Sequence, residues 1–567
     1  MKGALLVAGT HSDAGKSVVV AGLCRWLVRE GVKVAPFKAQ NMALNSFVTR
    51  EGAEIGRAQA AQAAAACVES EAAMNPVLLK PSAERRTQVI VRGKPWATAS
   101  ARSYQGMKGE LLPVVLESLE DLRQRFEVVV CEGAGSPAEI NLREGDLANM
   151  GLARAANIPV VVVGDIDRGG LFASLYGTLA LLSAGDQALV GGFMVNKFRG
   201  DPAVLAPGLE QMSALTGRPF LGTLPWISGL GLDGEDSLAL DAPRDVSPPL
   251  GRDVLRVAVV RLPRISNFTD LDALSQEPGV SVRFTESYEE ILAADLAVIP
   301  GTKATVEDLQ MLRACDLDRA LTERARRSLP TLGICGGYQM LGGRIADGVE
   351  SKEGETLGLG LLPVETIFEE EKLLARPEGR VPGFGDAEVS GYEIRHGRVH
   401  RFGGEPFFTV DGSANGGVEG CQVGNTFGTS WHGVFECDGF RRVFLSRVAE
   451  ERGLDWVAGE EPFAARREAQ LDKLGDLIAK NVDREALLRL MENGAPGDLP
   501  IVSGQLYSSQ PYSSQQPAVS NQLKTRHLSR PPCAGVLHDE DETPKEFTAA
   551  STQVTRSVAE AKLKADS

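Results

Sequence analysis

The chain runs to 567 residues, 43% hydrophobic and 24% charged, which is enough for about two to four domains with sizeable buried cores. Its formal net charge of −15, without a concentrated basic stretch, excludes nucleic acid as a partner and favours small molecules. No apolar run approaches the roughly 18–20 residues that span a bilayer, and Met1 leads into a strand-like segment rather than a charged, cleavable leader, so no membrane partner is expected and the protein is read as cytoplasmic.

In chain order, five short apolar runs come first: "ALLVAG" (4–9), "KVAPFK" (33–38), "FEVVVCEG" (126–133), "IPVVVVGDI" (158–166) and "VGGFMVNKF" (190–198). They are continuous rather than alternating, so both faces are covered, as in a parallel sheet flanked by helices. An acidic, Pro-rich stretch then marks a boundary, and a second series follows: "VLRVAVVRL" (254–262), "ADLAVIPG" (294–301) and "LPTLGIC" (329–335). Residues 461–493 carry helical periodicity. The composition beyond is polar and rich in Pro, Ser and Gln, too poor in apolar surface to offset chain entropy. The expected fold is therefore α/β: two doubly wound, mostly parallel-sheet domains at 1–235 and 254–450, a linker at 236–253, a short helical C-terminal element at 451–495 and a disordered tail at 496–567.

The run Gly9-Thr10-His11-Ser12-Asp13-Ala14-Gly15-Lys16-Ser17 lies between a strand and a helix-like segment. Glycines there let backbone N–H groups turn towards phosphate oxygens, Lys16 adds a point charge, and the Ser17 hydroxyl can join a magnesium shell. Five residues separate the glycines instead of four, so the loop is a variant of the common phosphate-binding pattern. Lys38, at the end of the second run, is placed to reach the same phosphates. Glu132, after the third, supplies a carboxylate where a metal ligand or water-orienting group is wanted. ATP and Mg2+ are the expected cofactors.

The eight cysteines are scattered and include no C-x-x-C pair, so neither a disulfide framework nor a zinc site is expected. Cys335 stands apart. In "GICGG" (333–337) it has the G-x-nucleophile-x-G form of a sharp strand-to-helix turn, whose plain alternative is a buried structural thiol. The N–H of Gly336 would face a developing oxyanion, with Gly301 of "IPGTK" as the second donor. Of six histidines, His11 lies in the phosphate loop and His527 and His538 in the tail. His432 in "FGTSWHGVFE" is chosen as the base; His396 and His400 read as a substrate loop or a solvated face. Glu436 is the nearest acidic group to orient the imidazole.

Taken together, "GTHSDAGKS", "PFKAQNMALNSFVT", "EIGRAQAAQA", "CEGAGSPAEINL", "RISNFTDLDAL", "PGTKATVEDL", "GICGGYQMLGG" and "SWHGVFE" occur in an order by which the span from Gly3 to about Ala449 resembles the cobyric acid synthase family, glutamine-dependent amidases of cobalamin biosynthesis. The resemblance implies a dethiobiotin synthetase-like P-loop domain joined to a class I glutamine amidotransferase domain. It also implies Cys335 as nucleophile, His432 as its histidine, and glutamine and a corrinoid as substrates. Gln40, Asn41, Asn45 and Asn141, in "QNMALNS" and "AEINL", are expected on the corrinoid side. Two positions depart from the wider pattern: Val434 stands where most class I amidotransferases have a glutamate, leaving the third catalytic member open, and Arg395 follows "GYEI" where the family usually has histidine. A cobyrinic acid a,c-diamide synthase, or a partitioning-type ATPase switch with an inactive second half, remain as alternatives, and a homo-oligomer is compatible with the sequence.

Overall fold

The computed structural model describes residues 2–83, 86–227, 246–412 and 417–502. All five runs of the first series are strands, joined by a sixth, Phe220–Pro225, that the apolar pattern alone does not single out. They form one parallel sheet in the order Phe220–Pro225, Val190–Phe198, Val160–Asp165, Gly3–Gly9, Val128–Glu132, Val34–Phe37. Successive residues of one strand serve opposite cores: Leu6 and Ala8 pack on one face with Phe37, Val129 and Val162, while Leu5 and Val7 pack on the other with Val130, Val161 and Met194. That double burial is why the runs are continuous. The central strand Gly3–Gly9 has neighbours reached by crossovers in opposite directions, so a crevice opens beyond its carboxyl end, where the phosphate loop lies.

The second sheet runs Val280–Thr285, Leu255–Val260, Leu296–Ile299, Thr331–Ile334, Thr426–Thr429, Cys421–Val423, parallel except for the last pair. Thr331–Ile334 and Thr426–Thr429 are adjacent and in parallel register, with Ile334 opposite Thr429. Cys335 and the segment leading to His432 therefore leave the sheet at the same edge. Behind them Phe384, Phe407, Phe427, Phe440 and Phe444 form a cluster of tilted and edge-on rings. Among the described residues, three small four-stranded sheets, one of them Gln40–Met42, Val77–Ala83, Arg86–Val91, Lys94–Ala99, and the two-stranded pair Ser46–Val48 and Glu54–Gly56 complete the strands.

The helical region is two helices, Phe463–Asn481 and Arg484–Asn493, with the second capped by Asp483. The first lies along the helix Lys16–Arg29, where Leu474 and Ile478 join a core with Val19, Val20 and Leu23, and Arg25 and Arg29 reach Glu468 and Asp476 at 2.7 Å. The C-terminal element thus closes one face of the first sheet. Ile478 is fully buried there, so Ile478→Ala is expected to cost about 2–5 kcal/mol, read as an earlier urea unfolding transition.

The expected tail begins too early. Its first residues are held at their end: Val502 is buried, and its N–H and carbonyl engage Gln187 at 2.8 and 3.0 Å. The Pro500 carbonyl likewise accepts from Arg218, so backbone groups find partners here whatever the local composition. The remainder of the expected tail, and residues 236–245 of the linker, lie outside the described residues. Among the described residues no helix is long and apolar enough to cross a membrane.

Candidate active site: a thiol pocket and a phosphate loop

Cys335 sits where the strand Thr331–Ile334 breaks into the helix Gly336–Leu341, with φ 49° and ψ −106°. A non-glycine residue held at positive φ is strained, and the position is fixed by the Cys335 N–H donating to the Thr429 carbonyl at 2.7 Å and by the Gln339 N–H donating to the Cys335 carbonyl at 3.0 Å. Gly336 packs so tightly on Thr302 that a Cβ would lie 2.7 Å from its Cγ2. The elbow expected from the glycines is present.

The Cys335 sulfur shares its pocket with His432 and acts on the imidazole, which is stacked on Tyr392 with ring centroids 5.4 Å apart. The other side of the imidazole meets Asp270: Nδ1–H donates to Oδ2 at 2.7 Å, and the Gly433 N–H donates to Oδ1 at 2.8 Å. Asp270, not Glu436, is the orienting carboxylate. Glu436 instead faces away, pairing with Arg57 at 2.5 Å and Arg467 at 3.7 Å. Chain proximity misled because Asp270 lies in "NFTDLD", 162 residues upstream, in the short 3-10 helix Phe268–Leu271 that follows the strand Leu255–Val260; its signal was its place after the carboxyl end of a strand of the same sheet.

Burial opposes the charged form of His432, but the Asp270 carboxylate and then the Cys335 sulfur outweigh it and raise the imidazole to about 10. Since this lies above the ordinary value of 6.5, the associated stabilisation is full below about pH 6.5 and is lost as pH rises through about 10. Stability should therefore decline between pH 7 and 10, and the decline should flatten in His432→Gln, as followed by urea unfolding across that range. Asp270→Asn is expected to lower glutamine hydrolysis by about 10^3–10^4-fold, because the imidazole loses both its tautomer and its counter-charge. Steady-state glutamate release measures it.

A small pocket holds Cys335 and His432 and is walled in part by Asn267, Lys303, Arg395 and His396. His396 is buried there, its Nδ1 close to the Glu369 carbonyl at 3.0 Å, so it belongs to the pocket and not to a solvated face; burial pushes its imidazole down. His400 is exposed. Arg395 stands in the wall, donating to Glu393 at 2.7 Å. Gly301 lies against the His432 ring, since a Cβ there would be 2.8 Å from His432 Cε1.

At the first sheet, Gly15 has φ 95° and caps the helix that begins at Lys16; a side chain there would run into Asn196, whose amide braces the loop by donating to the Ala14 carbonyl at 3.0 Å. The Gly9 backbone ends the central strand, and the Thr10 N–H donates to Val163 at 3.0 Å. Lys16 Nζ curls over the loop to the His11 and Gly135 carbonyls at 3.1 and 3.3 Å. Ser17, Lys38 and Glu132 converge: Glu132 Oε1 accepts from Ser17 Oγ at 2.9 Å and pairs with Lys38 Nζ at 2.8 Å. Burial works against the Glu132 charge, yet Lys38 foremost, then Gln62 and Lys16, hold it below the usual carboxylate range.

The four expected substrate residues divide. Gln40 is half-buried and accepts from the Tyr104 hydroxyl at 2.6 Å, and Asn141 is exposed in the turn Ile140–Leu142. Asn41 and Asn45 are buried, Asn41 donating to Gln59 Oε1 at 2.8 Å and the Asn45 carbonyl accepting from the Arg57 N–H at 3.1 Å. They brace the loop from inside.

Two family models match this chain: a CobQ/CobB/MinD/ParA nucleotide binding domain over residues 5–237, and a CobB/CobQ-like glutamine amidotransferase domain over residues 256–440. Among curated relatives, a cobyric acid synthase of Streptomyces avermitilis is 57% identical, covering 88% of this chain and 99% of its own length. Those of Frankia casuarinae and Rhodococcus jostii are 56% and 54% identical, covering 88% and 89% of this chain and 99% of their own lengths. With one sheet delivering a Cys–His–Asp group, the other a phosphate loop, and relatives matched over nearly their whole length, the chain belongs to the cobyric acid synthase family.

Proposed function

We propose that this protein makes cobyric acid by ATP- and glutamine-dependent amidation of the b, d, e and g carboxylates of adenosylcobyrinic acid a,c-diamide, with nitrogen released by residues 254–450 and used by residues 1–235. The observation that carries the reading is the Cys335–His432–Asp270 arrangement on the same chain as the Lys16–Ser17–Glu132–Lys38 cluster.

The imidazolium that Asp270 stabilises keeps Cys335 available as thiolate. Its sulfur attacks the side-chain amide carbon of glutamine, and the oxygen develops negative charge facing Gly336 and Gly301. As the tetrahedral adduct collapses, the carbon–nitrogen bond breaks, His432 gives its proton to the departing nitrogen, and ammonia leaves a thioester. Water then attacks that thioester with His432 as base, releasing glutamate and the free sulfur.

A corrinoid carboxylate cannot be displaced by ammonia directly, because hydroxide is a poor leaving group. At the phosphate loop the γ-phosphoryl group of ATP passes to that carboxylate, leaving ADP; ammonia attacks the activated carbonyl and phosphate departs. Lys16, Lys38 and the loop N–H groups neutralise the charge that spreads over the phosphoryl oxygens. Ser17 and Glu132 present the hard oxygen donors that Mg2+ takes, and they would hold it beside the loop, where it would offset phosphate charge. Met42, in the strand Gln40–Met42, and Ile140 and Leu142, in the turn that holds Asn141, leave large apolar side chains exposed, surface suited to an apolar macrocycle rimmed by carboxylates and amides.

The test offers the purified enzyme adenosylcobyrinic acid or its a,c-diamide with ATP and glutamine, and follows the corrinoid mass. The reading predicts four successive carboxylate-to-amide shifts on the diamide. Turnover of adenosylcobyrinic acid and not of its a,c-diamide would reassign the enzyme to the a,c-diamide step.

A further inference from the structure

The chain between Thr429 and His432 serves both members of the thiol pair. The Thr429 carbonyl accepts the Cys335 N–H at 2.7 Å and so fixes the elbow, and the imidazole itself follows three residues later. After the ring, Asp270 holds this segment by accepting the Gly433 N–H at 2.8 Å. Before the ring a second carboxylate holds it: Glu419 Oε1 accepts the Ser430 N–H at 2.6 Å, and Oε2 accepts the Thr429 hydroxyl at 2.8 Å. Thr429 Oγ in turn accepts the Trp431 N–H at 3.0 Å. Two carboxylates thus grip the backbone on either side of His432, and Glu419 itself does not line the thiol pocket.

Glu419 ends the short strand Val418–Glu419. The next residue, Gly420, has φ 73°, and a Cβ there would lie 2.5 Å from the Gly428 carbonyl oxygen, so only glycine lets the two chains meet this closely. A carboxylate at this place is costly. Burial raises its carboxyl to about 7, against the pull of the Ser430 and Thr429 donors, and the Glu393 charge raises it further while Arg395 draws it down. Glu419 has no ion-pair partner among the described residues. An apolar side chain would avoid that cost, but Ser430 and Thr429 are buried, and it would leave their N–H and O–H without an acceptor.

We propose that Glu419 is a positioning residue for the Cys335–His432 pair: by holding residues 429–431 it sets the separation of sulfur and imidazole, and with it the rate of glutamine hydrolysis. The inference rests on the functional reading above. Without Glu419 the segment drifts, and a displacement of about 1 Å at reacting atoms is enough to cost about 10^2-fold in rate.

The experiment compares wild type with Glu419→Leu and Glu419→Gln in three readouts. These are kcat and KM for glutamate release, the pH dependence of Cys335 alkylation by iodoacetamide scored on its own peptide by mass, and amidation driven by added ammonium. Glu419→Leu is expected to lower kcat about 10^2-fold with KM within about three-fold of wild type, and to move the alkylation midpoint up by about one pH unit, because the imidazolium no longer stands where it favours the thiolate. Ammonium-driven amidation should stay within about two-fold, since it enters after the glutaminase step. Glu419→Gln, whose carbonyl oxygen still accepts the Ser430 N–H, should recover kcat to within about ten-fold of wild type. Should the leucine variant fold poorly, Thr429→Val, which removes the hydroxyl between Glu419 and the Trp431 N–H, should shift kcat and alkylation in the same sense. The assignment is overturned by a folded leucine or valine variant with wild-type kcat, by a loss confined to KM, or by glutaminase and ammonium-driven rates that fall in parallel. A glutamine variant no better than leucine overturns it too. A wild-type enzyme that releases no glutamate from glutamine overturns the functional reading itself.

Discussion

Replacing Cys335 with serine is expected to abolish glutamine-driven amidation while amidation from added ammonium persists. The loss should reach about 10^4–10^6-fold, the scale seen when a nucleophile is removed from a triad whose members act as a unit. Serine keeps the size of the side chain and the elbow at φ 49°, but His432 is tuned to stand beside a thiolate, not to deprotonate an alcohol. Ammonium enters the chemistry after the glutaminase step, so the phosphate-loop site does not register the change. Parallel progress curves with glutamine and with ammonium chloride, read by corrinoid mass, separate the two. Equal loss with both nitrogen sources would mean that the pocket and the loop form one site.

Lys16→Met should produce the opposite pattern. Lys16 is the only lysine inside the Gly9–Ser17 loop, and its ammonium already rests on the carbonyls of His11 and Gly135, at the mouth where phosphate oxygens would sit. Methionine keeps the length of the chain without its charge. Amidation should fall by about 10^2–10^3-fold with either nitrogen source, the cost of removing one preorganised electrostatic group from a transition state that spreads charge over oxygens. Glutamine hydrolysis should continue, uncoupled from amide formation. Glutamate and ADP assays on the same samples check this, and a fall in glutaminase matching the fall in amidation would contradict the division of labour.

The two sheets could be read from sequence because buried parallel strands must be apolar on both faces, a demand visible in "VVVC" or "PVVVVG" without any partner in view. The phosphate loop and the Cys335 elbow were equally legible, since backbone geometry selects their glycines and the selection is local. Asp270 was not, because the contact that defines it joins residues 162 positions apart and only the order of strands brings them together. The same is true of the strand Phe220–Pro225, whose half-buried residues carry little apolar pattern, and of the last residues before 503, held by Gln187 through their backbone rather than by their own side chains. Asn41 and Asn45 were expected as substrate contacts from their place at the C-terminal edge of the sheet; both are buried, and the Asn41 amide donates to Gln59.

One measurement bears most directly on the proposal that nitrogen is released in one domain and used in the other. Purified enzyme, 15N-amide glutamine, ATP and adenosylcobyrinic acid a,c-diamide are mixed, and glutamate, ADP and corrinoid 15N are quantified together. Equal amounts of glutamate, ADP and newly formed 15N amide are predicted throughout the time course. Glutamate accumulating without labelled corrinoid, or corrinoid amides formed without ADP, would contradict it.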